Sequence, residues 1–219
     1  MCLSVRNYWS WYIRYARKAA IDAPQKASTH AESWYGLYSG FLARRHFPDP
    51  AADRAMEDKF QELLPLLYCT DTMQPRIQPD RIQNHSSMVG VLVMRYACTK
   101  CSEDLRRAWL LAQVVLSFQK SDGGFYKGNT DYTSVIYPAK SLTELLRALL
   151  GLLSSHDCSP EQHMLWYPRA HRLSLALMRT MDHLASLEGN FQTEGATTSC
   201  YEDGANSCSA AQLGAFALM

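Results

Sequence analysis

The sequence predicts an all-α protein. Apolar residues recur every three or four positions in nearly every long segment, which is the period of an amphipathic helix. No segment alternates polar and apolar residues with the period of two that a half-buried strand shows. Of the 219 residues, 47% are hydrophobic and 20% are charged, so the chain can bury a substantial core. Helices are predicted at 3–21, 31–45, 51–68, 85–98, 103–119, 136–154, 160–187 and 205–219.

Residues near several predicted boundaries have the chemistry of helix ends. Asp49 precedes Pro50, and an acceptor followed by a first-turn proline is typical of a helix start. Ser159 has Gln162 three residues later, which is the spacing of a capping box. Gly123 and Gly189 are expected to end the helices before them, because glycine readily adopts the left-handed conformation of a helix C-terminus.

A unit consisting of a turn followed by a helix recurs along the chain. The segment FQKSDGGF, residues 118–125, is followed by Tyr132 and then by a helix beginning at Tyr137. A second turn is predicted at 187–191, before a helix that begins near 206. Looser copies lie near 29 and 83, so helices rich in small residues begin near 31, 86, 139 and 207. This repeat predicts one helical hairpin per unit.

The predicted helices are of two kinds. Helices 51–68, 103–119 and 160–187 are amphipathic, whereas 85–98, 136–154 and 205–219 are apolar on nearly all sides. A helix that is apolar all round has to be enclosed. Outer amphipathic helices around inner apolar ones form an (α/α) toroid, with the inner N-termini side by side at one end; this arrangement fits better than a bundle or an open solenoid.

The number of helices bears on the extent of this toroid. A closed ring of six hairpins needs about twelve helices, whereas this chain supplies about eight and ends inside an apolar one. We therefore expect a single domain over 1–219 that is an incomplete toroid, with about four of six hairpins, or one that a partner closes.

Composition excludes several classes of function. Lys and Arg number 22 against 21 Asp and Glu, and these charges are dispersed, so nucleic acid is not an expected partner. No apolar run approaches the roughly 20 residues of a membrane span, and no signal peptide is visible, which predicts a cytoplasmic protein without a membrane partner. Seven cysteines, an odd number, indicate reduced thiols. The pair Cys98 and Cys101 lacks a second ligand pair, so no metal site and no cofactor are predicted.

The FQKSDGGF turn and the helix after it resemble the hairpin unit of the six-hairpin glycosidase superfamily and of the toroidal polysaccharide lyases. The Q-x-x-D-G-x-F pattern is also similar to the repeat of terpenoid cyclases and protein prenyltransferases. The resemblance covers most of residues 30–219 and is one of architecture. It implies a cleft at one end of the barrel, lined by the loops that enter the inner helices.

Those loops carry the candidate site residues. Glycoside hydrolysis needs two carboxylates, which Glu32, Asp131, Glu202 and Asp203 can supply, although for each one alone a helix cap or dipole partner is the favoured explanation. The predicted catalytic residues are Glu32, His85, Asp131, Tyr132, Tyr137 and Glu202. The predicted substrate-binding residues are His30, Trp34, Arg81, Asn84, Lys140 and Asp203.

The likeness to toroidal lyases implies a more specific assignment. An Asn-His pair would neutralise the carboxylate of a uronate, and Asn84 and His85 match it, with Arg81 close by. Tyr132 or Tyr137 would then remove the proton next to that carboxylate. Tyrosine has a pKa of about 10, so a cation such as Lys140 must lower it. An ordinary helix cap is the alternative for Asn84 and His85.

These observations favour a carbohydrate-active enzyme, a glycoside hydrolase or polysaccharide lyase, acting on an oligosaccharide or a polysaccharide. Aromatic residues make up 11% of the chain and suit stacking on sugar rings. An isoprenoid enzyme is the first alternative, but the chain has no DxDD motif, and its nearest Cys-x-x-Asp, Cys101 to Asp104, opens an outer helix. A non-catalytic helical binding scaffold is the second alternative.

Overall fold

The computed structural model describes residues 50–76, 79–125 and 132–194. Within these ranges the only pairing of extended backbone is an isolated antiparallel bridge between Tyr68 and Pro75, and no strand occurs, so the all-α prediction is confirmed for this part. The predicted helices 3–21, 31–45 and 205–219 lie outside the described residues. The described helices are α1 (Pro50–Leu67), α2 (Ile82–Thr99), α3 (Ser102–Leu116), α4 (Tyr132–Leu153) and α5 (Pro160–Glu194).

The chain forms two compact units, Met1–Val114 and Val115–Met219. The described part of the first contains α1, α2 and most of α3, and that of the second contains α4 and α5. The toroid, its hairpin count and the single domain over 1–219 remain predictions. None of the helices among the described residues has the length and apolar character needed to cross a bilayer.

Helix α2 is the buried centre of the first unit. Every residue from Asn84 to Val93 is buried, including the run Met88–Val93, so the predicted enclosure of this helix is confirmed. Helix α3 instead buries one side, which carries Leu105, Ala108 and Ala112, as its amphipathic pattern predicts. Lys100 is the C-cap of α2; its backbone is left-handed, and its N–H donates to the carbonyl of Tyr96.

Arg95 joins the three helices that the structure describes in the first unit. Its Nε donates to Oε2 of Glu57 on α1 at 3.0 Å, and its Nη1 donates to Oδ1 of Asp104 on α3. The guanidinium also lies 4.7 Å from the ring centroid of Phe60. Asp104 is fully buried, and this burial raises its pKa although Arg95 acts in the opposite direction. A cation on an otherwise apolar helix is thus accommodated by two carboxylates.

In the second unit, α4 packs against α5. Leu142, Leu145 and Leu149 of α4 are fully buried. Arg147 and Leu150, in the C-terminal turns of α4, are exposed. The prediction that α4 is enclosed on all sides therefore holds for residues 138–146 and is wrong for the turns after them.

Helix α5 begins with the predicted capping box. The Ser159 N–H donates to Oε1 of Gln162 at 3.0 Å, and the Gln162 N–H donates to Oγ of Ser159 at 3.2 Å. Two backbone donors at the start of the helix therefore have side-chain acceptors.

The DGGF turn docks on α5. Gly123 has a φ of 93°, and a Cβ placed there would lie 2.1 Å from the carbonyl oxygen of Arg179. Nε2 of Gln119 donates to the carbonyl of Ala176 at 2.8 Å and to Oγ1 of Thr180 at 2.9 Å. Phe125 is fully buried, as expected of an aromatic residue that folds back. Gly123 itself does not end the preceding helix, because α3 already ends at Leu116.

The second turn of the predicted repeat is wrong. Residues 187–191 belong to α5, which continues through Gly189 to Glu194. This segment has one glycine and lacks the Gln and Asp that hold the first turn in place. A single glycine inside a helix costs only about 1 kcal/mol, so it does not end the helix by itself.

Two helices begin earlier than predicted. Helix α2 begins at Ile82 instead of residue 85, and α4 begins at Tyr132 instead of residue 136. Asn84 and His85 therefore lie in the first turn of α2, and Tyr132 is helical instead of belonging to a loop.

Candidate functional site

Asn84 and His85 lie at the N-terminal end of α2, directly after Arg81. Arg81 is the N-cap residue and makes no capping hydrogen bond with its side chain. Its carbonyl accepts hydrogen bonds from the backbone N–H groups of Asn84 at 3.0 Å and His85 at 3.3 Å. The partial positive charge of a helix N-terminus therefore lies beside these two side chains.

The ring of His85 is hydrogen-bonded to Tyr68. The Tyr68 hydroxyl lies 3.1 Å from Nδ1 of His85, and the two rings meet edge to face with their centroids 5.8 Å apart. Burial raises the pKa of Tyr68 further above neutrality, so its hydroxyl stays protonated. When that hydroxyl donates to Nδ1, the neutral imidazole carries its hydrogen on Nε2.

A closed loop fixes the position of Tyr68 just after α1. The Tyr68 N–H donates to the carbonyl of Leu64, which continues the helical pattern by one residue. The Arg76 N–H donates to the carbonyl of Leu67 at 2.9 Å, and Nε of Arg76 donates to the carbonyl of Tyr68 at 3.2 Å. The two ends of this loop are therefore joined to each other, and the hydroxyl of Tyr68 makes the contact with α2.

Asn84 contributes an unused hydrogen-bond donor. Its side chain is only 3% exposed, and within the described residues Nδ2 has no hydrogen-bond acceptor. Leaving such a buried donor unsatisfied costs about 1–3 kcal/mol. Together with the positive end of the helix dipole, this amide makes a position that suits an acceptor such as a carboxylate.

Of the other predicted site residues that the structure describes, only Arg81 belongs to the same unit as this group. Arg81 is exposed and adjacent to it, whereas Lys140 is half-buried on α4, in the second unit, more than two turns from the start of the helix. Tyr132 and Tyr137 belong to the same helix, and their side chains are not among those described.

Six predicted site residues lie outside the described residues. These are His30, Glu32, Trp34, Asp131, Glu202 and Asp203. Their assignment as acids and sugar-binding groups remains a prediction from the sequence.

Two other features of the described part lie apart from this group. An open depression at the start of α1 is lined by Pro50, Ala51, Arg54 and Asp58, and it contains no predicted site residue. Cys98 lies in the last turn of α2 and Cys101 just before α3. Among the described residues, no three His, Cys, Asp or Glu side chains are grouped so that they could hold a metal ion.

Sequence reasoning missed Tyr68 and the buried charges around Arg95. A lone arginine in a helix that is otherwise apolar was a usable signal, because a buried guanidinium requires carboxylate partners. Tyr68 had no comparable signal, since its hydrogen bond to His85 depends on how the intervening loop folds.

Comparison with protein-family models, with curated proteins and with solved structures finds no match to this chain.

Proposed function

We propose that the protein is a carbohydrate-active enzyme that cleaves a glycosidic bond, and that Asn84 and His85 hold the carboxylate of a uronate in its substrate. The observation that carries the proposal is the buried Nδ2 of Asn84, which has no acceptor within the described residues and lies at the N-terminal turn of α2. His85 follows it directly, with its ring oriented by Tyr68. Neutral donors and a helix N-terminus are suited to a carboxylate.

In β-elimination, a base removes the proton from the carbon next to the carboxylate. The bond from the neighbouring carbon to the glycosidic oxygen then breaks, a carbon–carbon double bond forms, and the departing oxygen takes up a proton. Donors on the carboxylate stabilise the negative charge that develops as the proton leaves. Asn84 and His85 are proposed for that role.

The base must be a different group from Tyr68. Burial keeps the Tyr68 hydroxyl protonated, and its contact with Nδ1 makes it a positioning residue for His85. Tyr132 or Tyr137, with Lys140 to lower its pKa, remains the proposed base. If cleavage proceeds by hydrolysis, two of the acids Glu32, Asp131, Glu202 and Asp203 are proposed instead.

A non-catalytic helical scaffold is the second candidate, and burial favours it. His85 is 1% exposed and Tyr68 is 2% exposed, which are the values of core residues. In that case the hydrogen bond between them serves only to fasten the loop after α1 to α2. An isoprenoid enzyme receives no such support, because the Asp104 carboxylate already accepts hydrogen bonds from Arg95 and Thr99.

The test is a panel of glycans with and without uronates, incubated with the full chain. An unsaturated uronate absorbs ultraviolet light, so absorbance detects elimination, whereas new reducing ends without absorbance indicate hydrolysis. We expect cleavage of uronate glycans only. Failure of the folded protein to cleave any glycan would favour the scaffold.

The variant Asn84→Asp keeps the shape of the side chain but places a negative charge against the substrate carboxylate. It should lower turnover at least about a hundredfold. Gln83→Glu adds the same charge at the neighbouring, half-buried position and is the matched control, expected within a few-fold of the parent. Equal activity of the two variants, both folded by circular dichroism, would remove Asn84 from the site.

A further inference from the structure

An exposed apolar stripe runs along α5, on the side opposite its buried face. Met164 is 78% exposed, Tyr167 is 57%, Leu175 is 49% and Met178 is 57%, and the exposed His171 lies between them. Single exposed apolar residues are ordinary, but a contiguous row on one helix marks an interaction surface. At 1.5 Å per residue, the stripe extends about 21 Å.

The spacing of the stripe is symmetric. Successive members are three, four, four and three residues apart, which reads the same in both directions from His171. If two α5 helices pair antiparallel about a twofold axis at His171, Met164 is level with the partner's Met178. Tyr167 is then level with the partner's Leu175. Such mirror spacing suits pairing with a second copy of this chain, because an isologous interface places the same surface on both sides.

The charges beside the stripe fit the same arrangement. Glu161 and Arg179 are 18 residues apart, which is five full helical turns, so they lie in line on one flank of α5. In the antiparallel pair each Glu161 comes within about 3 Å along the axis of the partner's Arg179. Both are exposed, and Arg179 uses one N–H for a hydrogen bond of 3.0 Å to Gln119.

The carboxylate of Asp182 provides a second complementary contact. Asp182 is exposed on the same line as Met164, 18 residues further along the helix. In the antiparallel pair it is level with the first residue of the partner's α5. The positive end of that helix attracts a carboxylate.

We propose that the stripe on α5 is a homodimer interface in which two copies of this chain pair antiparallel through this helix. The proposal is independent of the carbohydrate site, since every residue it uses lies on α5. It assigns a partner, a second copy, to a surface that is exposed in the described part of the chain.

Sedimentation equilibrium of the full chain tests the proposal. We expect a dimer whose dissociation constant rises at least about tenfold in Leu175→Glu, because the central apolar contact is replaced by charge. Leu150→Glu, at a residue of α4 that is 40% exposed, is the matched control and should dimerise like the parent. A parent that is monomeric at all concentrations would overturn the proposal. So would a dimer that Leu175→Glu leaves unchanged.

Charge reversal tests the symmetry. Glu161→Arg and Arg179→Glu should each weaken the homodimer, whereas an equimolar mixture of the two should recover association, because every Glu then faces an Arg. The double variant should recover it as well. If the mixture associates no more strongly than either variant alone, the antiparallel arrangement is contradicted.

Discussion

The hydroxyl of Tyr68 lies 3.1 Å from Nδ1 of His85, and neither residue is more than 2% exposed. This contact connects the loop after α1 to the first turn of α2. It fixes the orientation of the imidazole beside Asn84, whose Nδ2 has no acceptor within the described residues. The proposed carboxylate site therefore depends on a hydrogen bond between two buried rings.

Tyr68→Phe removes the hydroxyl and retains the ring. We expect the free energy of unfolding to fall by about 1–3 kcal/mol, because Nδ1 of His85 loses its buried partner. Tyr96→Phe is the control, since that tyrosine of α2 is half-buried and the change should alter stability by less than about 0.5 kcal/mol. Urea denaturation of both variants measures the difference. Losses of equal size would show that the Tyr68 hydrogen bond contributes nothing.

Arg95→Met leaves Glu57 and the buried Asp104 without their cation. The expected loss is about 3–5 kcal/mol, because breaking a buried ion pair leaves an uncompensated charge. Arg106→Met, which removes an exposed pair with Glu103, should cost less than about 1 kcal/mol. The denaturation midpoints of the two variants measure the difference. If Arg95→Met is as stable as Arg106→Met, the ion pairs of Arg95 with Glu57 and Asp104 do not hold the helices together.

Gly123→Ala should be strongly destabilising. The added Cβ meets the backbone of Arg179, which cannot move without displacing α5, and the positive φ is itself unfavourable for alanine. We expect a loss of more than about 2 kcal/mol. Gly151→Ala is the matched control, because its Cβ would enter open space in α4. This substitution should raise the free energy of unfolding by up to about 1 kcal/mol. If thermal denaturation shows that both variants melt below the parent, or both above it, the packing of this turn on α5 is contradicted.

The features predicted correctly from sequence are those set by local chemistry. The all-round apolar run of α2 predicts its burial, and Ser159 with Gln162 predicts the capping box. Periodicity and caps act within one or two turns of a helix, so a single sequence is sufficient to show them.

The features that sequence reasoning missed are set by contacts between distant residues. The turn at Gly123 packs against the backbone of α5, whereas Gly189 lies inside α5 itself. Tyr68 and His85 are 17 residues apart, and their contact is specified by the loop between them. Predicting it requires tertiary structure.

The most direct test of the central claim compares one uronate glycan before and after methyl esterification of its carboxylates. Esterification removes the negative charge and leaves the glycosidic bond unchanged. If Asn84 and His85 hold that carboxylate, the parent protein cleaves the free acid, and the ester is cleaved at least about tenfold more slowly. Asn84→Asp should slow cleavage of the free acid, so that the rates on the free acid and on the ester become more similar. Equal rates on acid and ester, or no cleavage of the free acid by the folded protein, would contradict the account.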